Sequence, residues 1–134
     1  MKLLLETHTL LWHADGDAKM SAAATALLGD PANELYLSMA SIWEVAIKVG
    51  LKKLTLSAPY VTFMTKAING YGLIVLPITL DDCVHYEALA FPDPQHRDPF
   101  DRMLVAQARD EALTLVSADR GLAPYEVPLL DARA

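Results

Sequence analysis

The chain has 134 residues, 53% of them hydrophobic, with 17 acidic and 11 basic side chains and a formal net charge of −6. That length carries one domain with a real core, residues 1–134, and is short for two. The acidic balance argues against a broad basic footprint for nucleic acid or for an anionic membrane, while leaving nucleic acid open as a substrate, because removing four acids into one site leaves the remaining surface close to neutral.

A lone cysteine, Cys83, excludes a disulfide and a cysteine-based zinc site and reads as a small core-facing residue in a reducing compartment. The run Met1 to Leu5 turns polar at Glu6, too short for a signal peptide or a membrane span. The expectation is a soluble, cytoplasmic protein with no membrane association. In chain order, Lys2 to Leu5 reads as a buried strand and Thr9 to Ala14 as a helix. Ser21 to Gly29 is a second helix, with a serine cap at its start and Gly29-Asp30-Pro31 at its end. Leu35 to Ser38 is a strand. Ala40 to Leu51 is a helix apolar almost all round, apart from a strip of Ser41, Glu44 and Lys48, and is expected to be buried on most sides. Ser57 to Asn69 is a helix, Leu73 to Leu76 a buried strand, and Thr79 to Ala90 a helix, followed by a proline-marked loop to Arg97. The last elements are a strand at Thr114 to Ser117, a helical turn around Asp119 to Ala123 and a strand at Val127 to Leu130. Short apolar strands alternating with helices predict a three-layer α/β/α sandwich around a mostly parallel sheet.

The stretch HRDPFDR, His96 to Arg102, opens a helix running through Met103 to Ala112. Pro99 suits the first helical position, where no backbone N–H is needed, and Asp98 can cap the first turn. At about 100° per residue, Asp101 falls on the same side as Phe100, Leu104, Val105, Ala108 and Ala112, while Arg102 and Arg109 take the polar face. A carboxylate aimed inward requires a hydrogen bond, a cation or a metal.

In open parallel sheets, sites form beyond the carboxyl ends of the strands. Glu6 follows the first strand, Asp119 the fourth, Asp101 opens a helix, and Glu44 lies on the polar strip of the apolar one. Four converging carboxylates need a hard divalent cation, Mg²⁺ or Mn²⁺, to stay ionised. Each also has a plainer role: Glu44 an ion pair with Lys48, Asp101 a helix-dipole acid, Asp98 a cap, Asp119 the start of a turn. Thr7 and Ser117 are placed to hold carboxylates by hydroxyl hydrogen bonds. His8 and His96 read as hydrogen-bonding or surface residues, and Trp12 and Trp43 as core.

Taken together, LLLETHTLLW (Leu3 to Trp12), SMASIWEVAIKVGLKKL (Ser38 to Leu54), LPITLDDC (Leu76 to Cys83), HRDPFDRMLVAQA (His96 to Ala108) and LTLVSADRGLAPYEVPLL (Leu113 to Leu130) resemble the PIN domain family, most closely its VapC-type toxin ribonucleases. The resemblance implies metal-dependent RNA cleavage leaving a 5′-phosphate and a 3′-hydroxyl. It places the family's four acids on Glu6, Glu44, Asp101 and Asp119, with Glu6, Asp101 and Asp119 holding Mg²⁺ or Mn²⁺ and Glu44 managing a water. Arg97 and Arg102 flank the acids and are candidates to steer RNA, with an i, i+4 ion pair to Asp98 the favoured role for Arg102. The implied partner is an antitoxin whose tail covers the acidic site, and a net charge of −6 suits a basic tail. Homodimers or toxin–antitoxin hetero-oligomers follow from the same resemblance. Tyr60, Phe63 and Met64 are equally suited to an apolar contact surface and to core packing.

Where the family has aspartate at its first acid, this chain has Glu6. The extra methylene displaces the carboxylate, and Mg²⁺ requires near-ideal geometry at about 2.0–2.1 Å. Both an active nuclease and an inactive domain that binds RNA or antitoxin therefore stay open. A phospho-acceptor receiver domain fits poorly, since it needs an aspartate at the end of a central strand, where this chain has Leu76-Pro77.

Overall fold

The computed structural model describes residues 1–95 and 97–133, so His96 lies outside the described residues. Five strands, β1 (Lys2–Leu5), β2 (Glu34–Ser38), β3 (Ile74–Leu76), β4 (Thr114–Ser117) and β5 (Leu129–Asp131), form one sheet in the order β3-β2-β1-β4-β5. Every pairing is parallel. The helices are α1 (Thr7–Asp15), α2 (Ala22–Gly29), α3 (Met39–Gly50), α4 (Tyr60–Gly70), α5 (Leu80–Ala88) and α6 (Pro99–Asp110), with a 3₁₀ segment at Arg120–Tyr125 before β5.

The layers follow from the two-residue period of the strands. Leu3, Leu5, Leu35 and Leu37 point to one face and pack with Leu10, Leu28, Phe63 and Met64 of α1, α2 and α4. Leu4 and Leu115 point to the other and pack with Leu104, Val105 and Ala108 of α6. Phe63 and Met64 are therefore core rather than contact surface, and the Tyr60 hydroxyl donates to the Ile42 carbonyl at 2.7 Å. No helix among the described residues is long and apolar enough to cross a membrane.

Three expectations need correction. β3 is the edge strand beyond β2, so Ile74 and Val75 are exposed instead of buried on both faces. Cys83 faces outward from α5 and is exposed. The helix α3 is not buried on most sides: Ala40, Ser41, Glu44 and Val45 face inward, whereas Met39 and Trp43 are exposed, Trp43 by 59%. Ser41 and Glu44 of the polar strip share that inner face with Ala40 and Val45. Trp12 is half-buried against the first core cluster.

Candidate active site

Strand order turns at β1 and β4, which lie side by side and from which the chain runs outward to β3 and β5. Crevices in such sheets open beyond the strand ends at that point. Glu6 directly follows β1, and its backbone N–H still donates to Val116 of β4 at 3.0 Å. Glu6 caps α1 by accepting from the His8 N–H at 3.0 Å with Oε2. The same oxygen lies 3.1 Å from His8 Nδ1. Ser117 Oγ stands 3.5 Å from the other oxygen, Oε1, and accepts from the Asp119 N–H at 3.0 Å. Ser117 thus joins the ends of β1 and β4. Asp119, exposed, caps the 3₁₀ segment by accepting from Gly121 N–H at 2.8 Å.

From the other side, Glu44 of α3 is 4% exposed. It accepts from Thr7 Oγ1 at 2.6 Å through Oε1 and from Lys48 Nζ at 2.6 Å through Oε2. Ser41 Oγ lies 3.0 Å from Thr7 Oγ1, extending the network across α1 and α3. The Lys48 pairing is the i, i+4 contact anticipated from the spacing, but it is made by a buried carboxylate. Burial works against the Lys48 charge, and Glu44, together with the charges of Asp98 and Glu6, offsets it, so the ammonium pKa is raised. His8 is also raised, by its contact with Glu6 acting against desolvation.

Asp101 completes the rim from the first turn of α6. Pro99 occupies the first turn, and Asp98 caps it, accepting from Phe100 N–H at 2.8 Å and Asp101 N–H at 3.2 Å. That turns Asp101 inward to a half-buried position. Burial first, and then the charges of Asp98, Glu6, Asp119 and Glu44, push its carboxyl up to about 8. Four segments distant in sequence therefore bring acids into one electrostatic neighbourhood. Among the described residues, however, the one set of three acids whose oxygens all lie within 4.8 Å of one another is elsewhere, at Asp82, Asp110 and Glu111. The acids of the rim stand further apart as a set.

The arginines depart from expectation. Arg102 is buried, and in place of the expected pair with Asp98 it donates to the carbonyls of Ala90 at 2.9 Å and Leu89 at 3.1 Å and to the Tyr125 hydroxyl at 3.0 Å. Its guanidinium stacks 3.6 Å from the Phe91 ring centre. The reason is that α5 and the loop after it cover the side of α6 assigned to solvent, so a nominally polar face is interior. Arg109, which is exposed, donates to the Tyr125 carbonyl. Arg97 is exposed, with Nε donating to the Pro94 carbonyl at 2.8 Å. Trp43 meets Phe100 edge-on, ring centres 5.4 Å apart, beside Glu44 and Asp101 in the sequence. An open recess beside Glu6 is lined by Glu6, His8, Trp12, Ala118, Asp119 and Arg133. Arg133 went unnoticed in the sequence because nothing in its neighbours shows that β5 pairs β4 and brings this end of the chain to the recess beside Glu6.

The fold and the rim define a class: a doubly covered parallel sheet with acids gathered beyond the ends of its central strands. A family model for the PIN domain matches residues 3–127, and the chain belongs to that family. It is 25% identical over 126 residues to Ribonuclease VapC22 of Mycobacterium tuberculosis, covering 94% of this chain and 93% of that protein. Among solved structures it is similar to VapBC2 from Rickettsia felis bound to a DNA fragment from their promoter, with a TM-score of 0.74 at 16% identity and 98% of each chain covered. A second is FitAB bound to an IR36 DNA fragment, with a TM-score of 0.67 at 16% identity, covering 98% of this chain and 96% of that one. At such identities these two structures speak for the fold.

Proposed function

We propose that the chain is a divalent-metal-dependent endoribonuclease and the toxin of a toxin–antitoxin pair. The observation that carries this reading is the gathering of Glu6, Glu44, Asp101 and Asp119 from four segments at one rim of the sheet, close enough that burial and the neighbouring acids raise the Asp101 carboxyl. A nearby cation removes that penalty, and the donors on offer, carboxylate oxygens with no thiol, suit Mg²⁺ or Mn²⁺. Glu6, Asp101 and Asp119 would hold the ion. When bound, it supplies a Lewis acid that acidifies water and offsets charge on a scissile phosphate. Thr7 and Lys48 hold the Glu44 carboxylate in place, so that Glu44 can accept a proton from an attacking water. Ser117 orients Glu6 and the Asp119 backbone together. Exposed Arg97 is positioned near the start of α6 to meet an RNA phosphate.

The membership in the PIN family and the likeness to a protein named a ribonuclease support the reaction class. The partner read from the same likeness is an antitoxin, whose basic tail would enter the acidic rim and neutralise Asp101 as a cation does. A second reading, a domain that binds RNA or antitoxin without cleaving, draws on Glu6: its carboxylate already accepts from the His8 N–H and lies against the His8 ring and Ser117. Cleavage of a structured RNA by the purified chain, with Mg²⁺, with Mn²⁺ and with EDTA, tests the reading. Metal-dependent products absent from Asp101→Asn support it, and no metal-dependent product from either the parent or Glu6→Asp overturns it.

A further inference from the structure

The recess beside Glu6 contains a cation laid on an indole next to two of the rim acids. His8 and Trp12 are four residues apart on α1, so both side chains leave the same face of the helix and line the recess. The Arg133 guanidinium sits 5.2 Å from the centre of the Trp12 ring, within the roughly 6 Å at which a cation and an aromatic face attract. Lys19 Nζ lies 5.8 Å from the same ring. Glu6 and Asp119 line the recess with Arg133. The ion pairs within 4 Å among the described residues are those of His8, Lys48 and His85, so Arg133 stands beside two carboxylates and is paired with neither.

The Arg133 side chain is exposed, but its backbone is anchored. Its N–H donates to Asp131 Oδ1 at 2.8 Å. The preceding residue, Ala132, is fully buried, donates to the Ser117 carbonyl at 3.1 Å and accepts from the Ser21 N–H at 3.0 Å. Ser117 is also the residue whose hydroxyl stands by Glu6 and accepts from the Asp119 N–H. The strand end that positions the acids therefore delivers the guanidinium to the recess, and the Trp12 ring holds it there.

The charges around this cation select its ligand. A net charge of −6 and four rim acids repel an RNA backbone, so a strand reaching the rim needs cations at its edge. A guanidinium resting on an aromatic ring, unpaired with a carboxylate, keeps its N–H donors for phosphate oxygens, which it can grip in pairs. The same cation repels a basic polypeptide tail, which favours nucleic acid as the occupant. We propose that Arg133, positioned by Trp12, binds a phosphate of the RNA strand next to the one at the rim. Lys19 adds a second positive charge on the outer side of the indole. The assignment rests on the reading of the rim as an RNA site.

The test is binding of a fluorescein-labelled single-stranded RNA oligonucleotide, followed by anisotropy across a salt series with Mg²⁺ held constant. It is made on an Asp101→Asn background, to keep the strand intact. Arg133→Gln should weaken binding and flatten the dependence of log K on log salt by about 0.7, the share of one phosphate on a single strand. Arg133→Lys keeps the charge and should restore the slope. Trp12→Leu should weaken binding, and Arg133→Gln should cost less on top of it than alone, because the indole acts through the guanidinium. Arg133 is exposed, so its variants fold; Trp12 is half-buried, and a melting curve verifies Trp12→Leu. The proposal is overturned if Arg133→Gln binds RNA with unchanged affinity and slope, or if the background protein binds no RNA. Cleavage by the parent is scored separately. Arg133-dependent binding without metal-dependent cleavage leaves this subsite standing while the nuclease reading fails, and cleavage with Arg133-independent binding does the reverse.

Discussion

Asp101→Asn should stabilise the metal-free protein at pH 8 and leave it unchanged near pH 4. In the fold the Asp101 carboxyl holds its proton up to about 8, against 3.8 in the unfolded chain. Between those values the folded protein binds a proton that the unfolded chain has released, so stability falls as pH rises from about 4 and levels off above about 8. At about 1.4 kcal/mol per pH unit the full span amounts to roughly 6 kcal/mol. Asp101 is only half-buried and the neighbouring charges are screened by salt, so about 2–3 kcal/mol is the expected gain from the amide at pH 8. Against a typical domain stability of about 5–15 kcal/mol this is a large effect. Urea unfolding in EDTA at pH 4.5, 6.0, 7.5 and 8.5 measures it, with the midpoint moving and the slope held. Adding Mg²⁺ or Mn²⁺ at pH 8 should stabilise the parent and leave Asp101→Asn nearly unmoved. An Asp101→Asn protein that is equally destabilised at every pH would refute the reasoning, because Asp101 would then be an ordinary first-turn acid of α6.

Other substitutions give sharp contrasts. Thr7→Val removes the donor to Glu44 Oε1 and should cost about 1–3 kcal/mol in urea unfolding, since the acceptor is buried. Arg102→Ala should cost about 3–5 kcal/mol, leaving two carbonyls and a tyrosine hydroxyl without their charged donor, whereas Asp98→Ala should cost about 1 kcal/mol, the worth of a helix cap. Equal losses would instead favour a surface pair between Arg102 and Asp98. The His8 ring should titrate above 6.5 by NMR and fall back in Glu6→Gln; the stability this contact contributes is present below 6.5 and is lost as pH rises through the raised value.

The elements were legible because their signals are local. Lys2–Leu5 and Thr114–Ser117 stand where four-residue apolar runs put them, and Asp98 caps α6 through a proline-marked start that needs no tertiary information. What sequence alone misjudged was which side of an element meets another. The helix α3 was expected to be buried on most sides because it is apolar almost all round, yet one face, with Ala40, Ser41, Glu44 and Val45, turns inward toward Thr7 and the rim, leaving Trp43 outside. On α6 the direction of Asp101 was readable from helical periodicity, but Arg102 was assigned to solvent because periodicity carries no knowledge of α5. Glu6 and Asp119 were proposed from their positions after strands, Asp101 from its inward direction on α6 and Glu44 from its place on the polar strip of α3.

The central claim is that the rim is a metal-dependent nuclease centre built on Asp101, and RNA cleavage by the parent, Glu6→Asp and Asp101→Asn, with and without Mg²⁺ or Mn²⁺, tests it most directly. The account predicts metal-dependent cleavage by the parent, at least equal cleavage by Glu6→Asp and a loss of roughly a hundredfold or more in Asp101→Asn, in line with removing a charge-stabilising group from a reacting centre. Equal cleavage by the parent and Asp101→Asn, or none by the parent and Glu6→Asp alike, would contradict it.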